Sequence, residues 1–369
     1  MLADLSRRRI IQTVGAAALA TRQAPGAEIP GPRAEGPATP KICLEAGGGA
    51  LSVGGPDPAG MRRVKQLGVD HVLMGGPPIP WDENRLRSLM AGFQSGGLAL
   101  GNLMIGGFPD TIYGRPGRDE EIEKVQQSFR VAGRVGLPVV EYNFYAHRIV
   151  EGYYEETGRA GAGLTAFDYD RVKDLPPLPQ EGAHKLEEMW SNITYFLKAV
   201  VPVAQEAGVR LALHPNDPPA PISRGSEQIM GTVDGWKRLI EIVASPANGI
   251  TFDCGVTREM GQDPVEVCRY FGGRDRINHV HFRNVQVRVP CQKYTEVFLD
   301  DGEINMFAVM KELVRQKYPR LVYPEHPRAL DYDRERVGFH SGYPGGGGYA
   351  AFAYNVGYAR AMLQAALVS

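Results

Sequence analysis

The feature that most constrains the fold of this chain is a repeated alternation of short β-rich runs with longer amphipathic stretches after Pro40. The β-rich runs are continuously apolar, as expected of strands that are buried on both faces. Eight of them occur in order: Lys41–Glu45, Asp70–Met74, Leu98–Ile105, Pro138–Asn143, Arg210–His214, Ile250–Cys254, Asn278–Phe282 and Leu321–Glu325. The pattern therefore predicts eight consecutive strands.

The stretches between these runs have apolar residues at helical spacing. Some of them end at a glycine just before the next run, as at Gly136 and Gly208, which is typical of a helix C-terminus. The predicted helices include Gly60–Leu67, Glu120–Val135, Leu186–Ala207, Val233–Val243, Val265–Phe271 and Met306–Gln316. The chain is thus expected to consist of β-then-α units.

Eight such units favour a single closed parallel barrel, the (β/α)8 or TIM barrel. A doubly wound open sheet is the alternative. It is less favoured because no Gly-x-Gly-x-x-Gly fingerprint follows the first run, where Gly47-Gly48-Gly49 predicts a flexible turn. Two long predicted loops, 144–179 and 327–349, follow the fourth and eighth runs. They should lie at the C-terminal ends of the strands, where barrel enzymes have their active sites.

The first 40 residues differ from the rest of the chain. Residues 1–22 resemble a twin-arginine export signal, with the basic run Arg7-Arg8-Arg9 before a mildly apolar stretch that is too short to span a bilayer. Residues 23–40 are rich in Pro and Gly and predict a linker. Residues 41–369 are then the catalytic barrel domain. The pattern predicts a protein exported to the periplasm, with a cytoplasmic location as the alternative.

Charge and cysteine content narrow the class of function. The formal net charge is −1, and no long basic patch points to nucleic acid. No apolar stretch suggests an integral membrane protein. Cys43, Cys254, Cys268 and Cys291 are too few and too scattered for a disulfide framework, so we interpret them as thiols. The expected partner is a small molecule.

Polar residues at the ends of the last four predicted strands indicate a metal site. His214, Cys254, His281 and Glu325 each end a predicted strand or lie one residue before its end. Adjacent strands are about 4.8 Å apart, so these side chains can converge at one rim of the barrel. Two imidazoles, a thiolate and a carboxylate suit Mn, Fe, Co or Zn better than Ca or Mg. His279 points the same way as His281 but deeper in the barrel.

Two segments carry distinctive motifs, His-Pro-Asn-Asp-Pro-Pro at His214–Pro219 and His-Phe-Arg-Asn-Val at His281–Val285. They resemble the His-Pro-Asp-Asp-Pro-Pro and His-(Leu/Phe)-Arg-Asn-Val motifs of the mannonate dehydratases, which belong to the xylose-isomerase-like barrel superfamily. The likeness covers most of the chain from about residue 98 onward. Further similar segments are Tyr142-Asn143-Phe144, Gly163–Asp168, Arg118–Glu123 and Asp301–Met306.

The resemblance implies a lyase that removes water from a 2,3-dihydroxy sugar acid and yields a 2-keto-3-deoxy acid. It implies the same four metal ligands, with manganese as the usual ion. It also implies that His326 and a tyrosine, best matched by Tyr349 and alternatively by Tyr343, carry protons. Family members tend to self-associate, so a homo-oligomer is expected.

Candidate substrate-binding residues follow from the chemistry of a sugar acid. Arg148 and Arg283 are candidates for the substrate carboxylate, because a guanidinium can bind a carboxylate through two hydrogen bonds. Asn143 and Asn284 are candidates for its hydroxyl groups. An ion pair at the rim is the alternative role of Arg283.

Some residues depart from the family pattern. Asn216 and Glu325 stand where the family has Asp, and Cys254-Gly255-Val256-Thr257 stands where Cys-Thr-Gly-Ser is expected. These departures leave the metal site intact and open the choice of substrate and reaction. A sugar isomerase, epimerase or related carbohydrate lyase on the same barrel is therefore one alternative. A two-lobed sugar-binding protein is another.

Overall fold

A computed structural model of the protein describes residues 35–46 and 55–369. Eight parallel strands form a closed barrel, in the order β1-β14-β11-β10-β7-β4-β3-β2. These strands are β1 Lys41–Glu45, β2 His71–Gly75, β3 Ala99–Ile105, β4 Val139–Tyr142, β7 Arg210–Leu213, β10 Asn248–Asp253, β11 Ile277–His281 and β14 Leu321–Tyr323. The predicted (β/α)8 barrel is confirmed, and the open sheet and the two-lobed architecture are excluded.

The helices lie between the barrel strands. They are α1 Pro58–Gln66, α2 Glu83–Ser95, α3 Pro109–Tyr113, α4 Arg118–Val135, α5 Leu186–Glu206, α6 Val233–Ile242, α7 Cys254–Glu259, α8 Pro264–Gly272, α9 Met306–Arg315, α10 Asp331–Arg334 and α11 Tyr349–Val368. Local sequence explains several of their ends. Asp57 and Asp263 cap helices that begin with proline, and Gly136 ends α4 at a φ of 80°.

A second, antiparallel sheet covers part of the C-terminal end of the barrel. Its four strands occur in the order β12-β13-β6-β5. They are β5 Tyr153–Thr157, β6 Gly163–Asp168, β12 Asn284–Val289 and β13 Lys293–Val297, and a small hairpin joins β8 Ile222–Ser223 to β9 Ser226–Glu227. The prediction of a long loop over 144–179 is wrong in this respect, because β5 and β6 lie within that segment.

The segment after β14 returns across the same end of the barrel. It contains the short helix α10, and two isolated β-bridges hold it, Gly163 to Ala329 and Arg328 to Gly346. The small sheet and this segment therefore enclose the C-terminal mouth of the barrel.

Two expectations concern the chain ends and membranes. The predicted export signal, residues 1–22, lies outside the described residues. Within the part of the chain that the structure describes, no helix has the length and apolar character needed to cross a membrane.

Candidate active site

The mouth of the barrel contains a cavity of 330 Å³. One side carries polar residues from the ends of β7, β11 and β14, including His214, His281 and Glu325. The opposite side carries Leu73 and Met104 from β2 and β3. The cavity is therefore strongly polar on the half of the barrel where the sequence predicted a metal site.

The two imidazoles of the predicted site face each other. His214 Nδ1 lies 2.8 Å from the carbonyl oxygen of Pro215, which can only accept, so His214 carries its proton on Nδ1. Its Nε2 lone pair is then directed at His281 Nδ1, 3.1 Å away. On the far side of the His281 ring, Nε2 lies 3.5 Å from the carboxylate of Glu141. Glu141 therefore favours the tautomer that leaves His281 Nδ1 free to bind a metal.

Two carboxylates complete this group of side chains. His281 Nδ1 lies 3.1 Å from Glu325 Oε2 and 3.8 Å from Asp253 Oδ2. Burial opposes protonation of His281, but Glu325 and Glu141 raise its pKa to about 9. Burial lowers the pKa of His214 to about 3, so His214 stays neutral. The nearby carboxylates therefore favour a cation, either a proton or a metal ion, between His214 Nε2 and His281 Nδ1.

The structure brings together three of the four predicted ligands. Among the described residues, the side chains placed closely enough to share a metal ion are His214, Asp253 and His281 in one group and Glu141, His279 and His281 in another. Glu325 is in neither group, but its Oε2 lies 3.1 Å from His281 Nδ1. Cys254 is also in neither group, and its side chain packs in the hydrophobic core at the start of α7. Asp253, one residue earlier, has a carboxylate oxygen within 4.8 Å of the ring nitrogens of His214 and His281. Side chains alternate between the two faces of a strand, so a shift of one residue exchanges the inner and outer faces.

Asp253 is a candidate ligand that the sequence analysis did not select. The signal in the sequence is the alternation of polar Thr251 and Asp253, which places both on one face of β10. The structure shows that this face points into the barrel, where Thr251 donates to Glu141 at 2.8 Å. Asp253 also caps α7 by accepting from Val256 N at 2.8 Å. Burial raises the pKa of its carboxyl to about 6. Its second oxygen remains directed toward His281.

The structure places Arg283 beneath this group and not in the cavity. Its side chain is 2% exposed, and it contacts Asp253 at 3.1 Å, Glu325 at 3.2 Å and Glu259 at 2.5 Å. A Cβ at position 255 would lie 2.6 Å from the guanidinium, so Gly255 makes room for it. The predicted alternative, an ion pair, describes Arg283 better than a substrate contact, because its charge is already shared among buried carboxylates.

The side chain of Asn284 also bonds to the protein itself and not to the cavity. Its side chain donates to the carbonyl oxygens of Leu299 and Ile304 and accepts from the backbone N–H of Ile304. Asn143, in contrast, lines the cavity. Its amide has only a weak 3.7 Å contact with Met104 Sδ among the described residues, so it remains available to a ligand.

Arg148 lines the cavity with a partly exposed side chain. It donates to the backbone oxygen of Asp217 at 2.7 Å, to the Asp217 carboxylate at 2.9 Å and to Tyr343 Oη at 3.1 Å. Its side chain is 29% exposed, whereas that of Arg283 is 2% exposed. Arg148 is thus the predicted carboxylate-binding arginine that the structure brings to the cavity.

His326 lies at the cavity wall beside Tyr343. Its Nδ1 lies 2.8 Å from Glu296 Oε2, and its ring centroid is 4.7 Å from that of Tyr343. Burial opposes protonation, but the carboxylates of Glu296 and Glu325 raise the pKa of His326. Its backbone φ of 44° is unusual for a non-glycine residue and turns the chain just after β14. The other ring nitrogen, Nε2, lies 3.5 Å from Glu325 Oε2.

The structure distinguishes the two candidate tyrosines. Tyr343 lines the cavity, and burial raises its pKa, so its hydroxyl keeps its proton. Tyr349 begins α11, and its hydroxyl donates to the backbone oxygen of Arg63 on α1 at 2.9 Å. The sequence match favoured Tyr349, but the residue beside His326 is Tyr343.

Barrel, cavity and convergent ligands together define a barrel enzyme with a candidate metal centre. Residues 180–366 match the family model described as D-mannonate dehydratase (UxuA), which is more than half of the chain. The chain belongs to the mannonate dehydratase family, and it is therefore an enzyme of the hydro-lyase class.

Individual relatives agree with this assignment. The chain is 28% identical to a mannonate dehydratase of Thermotoga petrophila, in an alignment of 325 positions that covers 77% of this chain and 89% of the relative. It is 29% identical to that of Streptococcus equi subsp. zooepidemicus over 317 positions, which cover 76% and 85%.

Solved structures show the same relationship. The crystal structure of the mannonate dehydratase from Streptococcus suis serotype 2 superposes with a TM-score of 0.78 and 27% identity, covering 89% of this chain and 95% of that one. A structure of L-ribulose 3-epimerase matches with a TM-score of 0.55 and 15% identity, covering 89% and 96%. That second likeness shows a shared xylose-isomerase-like fold alone, and the isomerase or epimerase alternative is not favoured.

Proposed function

We propose that this enzyme removes water from a 2,3-dihydroxy sugar acid, with D-mannonate as the first candidate, and releases the 2-keto-3-deoxy acid. The observation that carries the proposal is the pair of imidazoles whose lone pairs face each other across 3.1 Å, beside Glu325 and Asp253. Two ligands of one metal ion have this separation when each bond is about 2.1 Å long. Family membership supports the same reaction.

The proposed ligands are His214, Asp253, His281 and Glu325. With Asp253 in place of a thiolate, the donor set is two imidazoles and two carboxylates, which favours Mn among the ions that the sequence suggested, with Fe, Co or Zn as alternatives. The surroundings support a cation, because more carboxylates than arginines line the cavity. The carboxylates are those of Glu45, Glu141, Asp217 and Glu325, and the arginines are Arg148 and Arg328. When bound, such an ion would supply positive charge to the substrate carboxylate and to the enediolate that forms from it.

The elimination requires one proton to leave C2 and one to reach the departing C3 hydroxyl. We assign removal of the C2 proton to His326, because Glu296 holds the ring through Nδ1 and makes Nε2, which is 3.5 Å from Glu325 Oε2, the nitrogen that can accept a proton. We assign protonation of the hydroxyl to Tyr343, because burial keeps its phenol protonated. Arg148, 3.1 Å from Tyr343 Oη, would stabilise the transient phenolate. The enol that results then becomes the 2-keto product by tautomerisation.

Arg148 and Asn143 are the proposed substrate-binding residues. Arg148 has a partly exposed side chain that lines the cavity, and Asn143 has an amide with no strong partner among the described residues. Arg328 also borders the cavity, but its N–H groups are taken by His326 O at 2.8 Å and Glu296 Oε2 at 3.0 Å. A substrate carboxylate is therefore expected to pair with Arg148.

The test of this function is product identity. Metal-loaded enzyme incubated with D-mannonate is expected to form a compound lighter than the substrate by one water, with a 2-keto group, as shown by mass spectrometry and a carbonyl-specific reagent. A product of unchanged mass would instead indicate isomerisation or epimerisation. Gluconate, which differs from mannonate at C2, serves as the stereochemical comparison.

We also propose that the enzyme is exported through a twin-arginine-type signal, a proposal that rests on residues 1–22 alone. Cells that express the full chain should contain it in the periplasmic fraction, whereas a chain that lacks residues 1–22 should stay in the cytoplasm. Equal distribution of the two forms would contradict the export signal.

A further inference from the structure

Four carboxylates line the cavity, and three of them are engaged by the protein. Asp217 accepts from Arg148 at 2.9 Å and from Tyr153 at 2.8 Å. Glu325 is 3.1 Å from His281. Glu141 accepts from Asn102 at 2.9 Å and from Thr251 at 2.8 Å. Each of these groups has a structural or metal-related role.

The fourth carboxylate, that of Glu45, has no comparable partner. Among the described residues, its nearest polar contact is Tyr323 Oη at 3.5 Å, beyond the usual length of an O–H···O hydrogen bond. Glu45 is half-buried, and burial raises the pKa of its carboxyl, with repulsion from Glu325 adding to the effect. Among the described residues, this half-buried carboxylate thus has only a long contact with a hydrogen-bond donor, and a bound ligand that supplies a closer donor would stabilise it.

The position of Glu45 indicates which part of a ligand it meets. Glu45 ends β1 and pairs in register with Leu73, and it faces the cavity together with Leu73 and Met104. The metal group and His326 occupy the half of the mouth formed by β7, β10, β11 and β14. A sugar acid whose C1 to C3 lie at that half must direct its remaining carbons toward β1 to β3.

Among the residues that the structure describes, few groups on that side of the cavity can bind hydroxyls. Leu73 and Met104 offer no strong hydrogen-bonding group, and Phe352 from α11 adds a further apolar surface. Glu45 is the ionisable residue that the first three strands contribute to the cavity. A carboxylate accepts hydrogen bonds from hydroxyl groups and does not attract a second anion.

We propose that Glu45 is a specificity-determining residue that binds a hydroxyl group in the part of the sugar acid remote from the reacting carbons. This inference rests on the proposed function for the placement of C1 to C3. A hydrogen bond to a charged group contributes more than one between neutral groups, so loss of this contact should weaken binding about tenfold to a hundredfold.

The test compares Glu45→Leu and Glu45→Gln with the enzyme that retains Glu45, all in the slow Tyr343→Phe background and all reloaded with Mn²⁺, so that binding can be measured without turnover. Calorimetry measures the Kd for D-mannonate and for L-glycerate, which has the C2 configuration of D-mannonate and only its carboxylate and two reacting carbons. We expect Glu45→Leu to raise the Kd for D-mannonate at least about tenfold and that for L-glycerate less than about twofold. Glu45→Gln, which keeps an acceptor oxygen, should recover part of the loss.

Leu44→Ile is the matched control, since it alters the residue before Glu45 on β1, which is buried and does not line the cavity. It should leave both Kd values nearly unchanged, and the metal content and melting temperature of each variant confirm that the fold is intact. An unchanged D-mannonate Kd in Glu45→Leu would overturn the inference, as would an equal loss for L-glycerate. Because binding is measured apart from turnover, D-mannonate that binds but is not converted by the wild-type enzyme would contradict the proposed reaction and leave the Glu45 comparison valid.

Discussion

His281→Ala is expected to lose its metal and nearly all of its activity, whereas Cys254→Ala keeps both. His281 Nδ1 is at the centre of the proposed ligand group, 3.1 Å from both His214 Nε2 and Glu325 Oε2. Removal of an outer partner of a metal ligand typically weakens binding 10- to 100-fold, so loss of the central ligand should cost at least about 100-fold. Elemental analysis of each purified variant measures the effect.

The variant Asp253→Asn, compared with Cys254→Ala, tests which of the two neighbouring residues binds the metal. It preserves the size of the side chain and replaces the oxygen that faces His281 with an amide, which is a weaker ligand. Asp253→Asn should therefore lower the metal content, while Cys254→Ala should only destabilise the fold by about 1 kcal/mol through the small cavity it leaves in the core. The opposite result, metal lost with Cys254 and kept with Asp253→Asn, would show that the strand presents the thiol.

The second large effect is expected for Tyr343→Phe. The change removes only the hydroxyl that lies 3.1 Å from Arg148 and beside the His326 ring. General acid catalysis typically contributes about 10²- to 10⁴-fold, so kcat for D-mannonate should fall by that factor. The KM and the metal content should change little, because Tyr343 is not a ligand. Steady-state kinetics on the reloaded enzyme measure the two parameters separately.

Tyr349→Phe provides the matched control for this variant. Its hydroxyl bonds to the backbone of Arg63 on the outside of the barrel. Loss of that hydrogen bond should lower the free energy of unfolding by about 1 kcal/mol and leave kcat unchanged. If Tyr349→Phe instead lost activity and Tyr343→Phe kept it, the assignment of the acid would be reversed.

The barrel itself could be predicted because each of its strands is indicated by the residues within that strand. Strands buried on both faces are continuous apolar runs, and the predicted runs for β1, β3 and β7 differ from the observed strands by at most one residue at either end. The antiparallel sheet was missed for the opposite reason. β6 pairs with β13, more than 100 residues later, so nothing near β6 in the sequence indicates its partner.

The site was predictable to the level of the strand and not of the side-chain face. His214, His281 and Glu325 follow from their position at strand ends, but the choice between Asp253 and Cys254 depends on one residue of register. Arg283 and Asn284 match a family motif, yet neither side chain is directed at a substrate. Arg283 pairs with buried carboxylates, and Asn284 bonds to backbone carbonyl oxygens. The path of the segment after β14, which the sequence does not indicate, brings Tyr343 and not Tyr349 beside His326.

Turnover of D-mannonate before and after metal removal tests the metal-dependent dehydration most directly. Enzyme treated with a chelator and then dialysed should form no 2-keto-3-deoxy acid, and reloading with Mn²⁺ should restore its formation in wild type but not in His281→Ala. Dehydration of D-mannonate by the stripped wild-type enzyme, or its absence after reloading to one metal ion per chain, would contradict the proposed reaction.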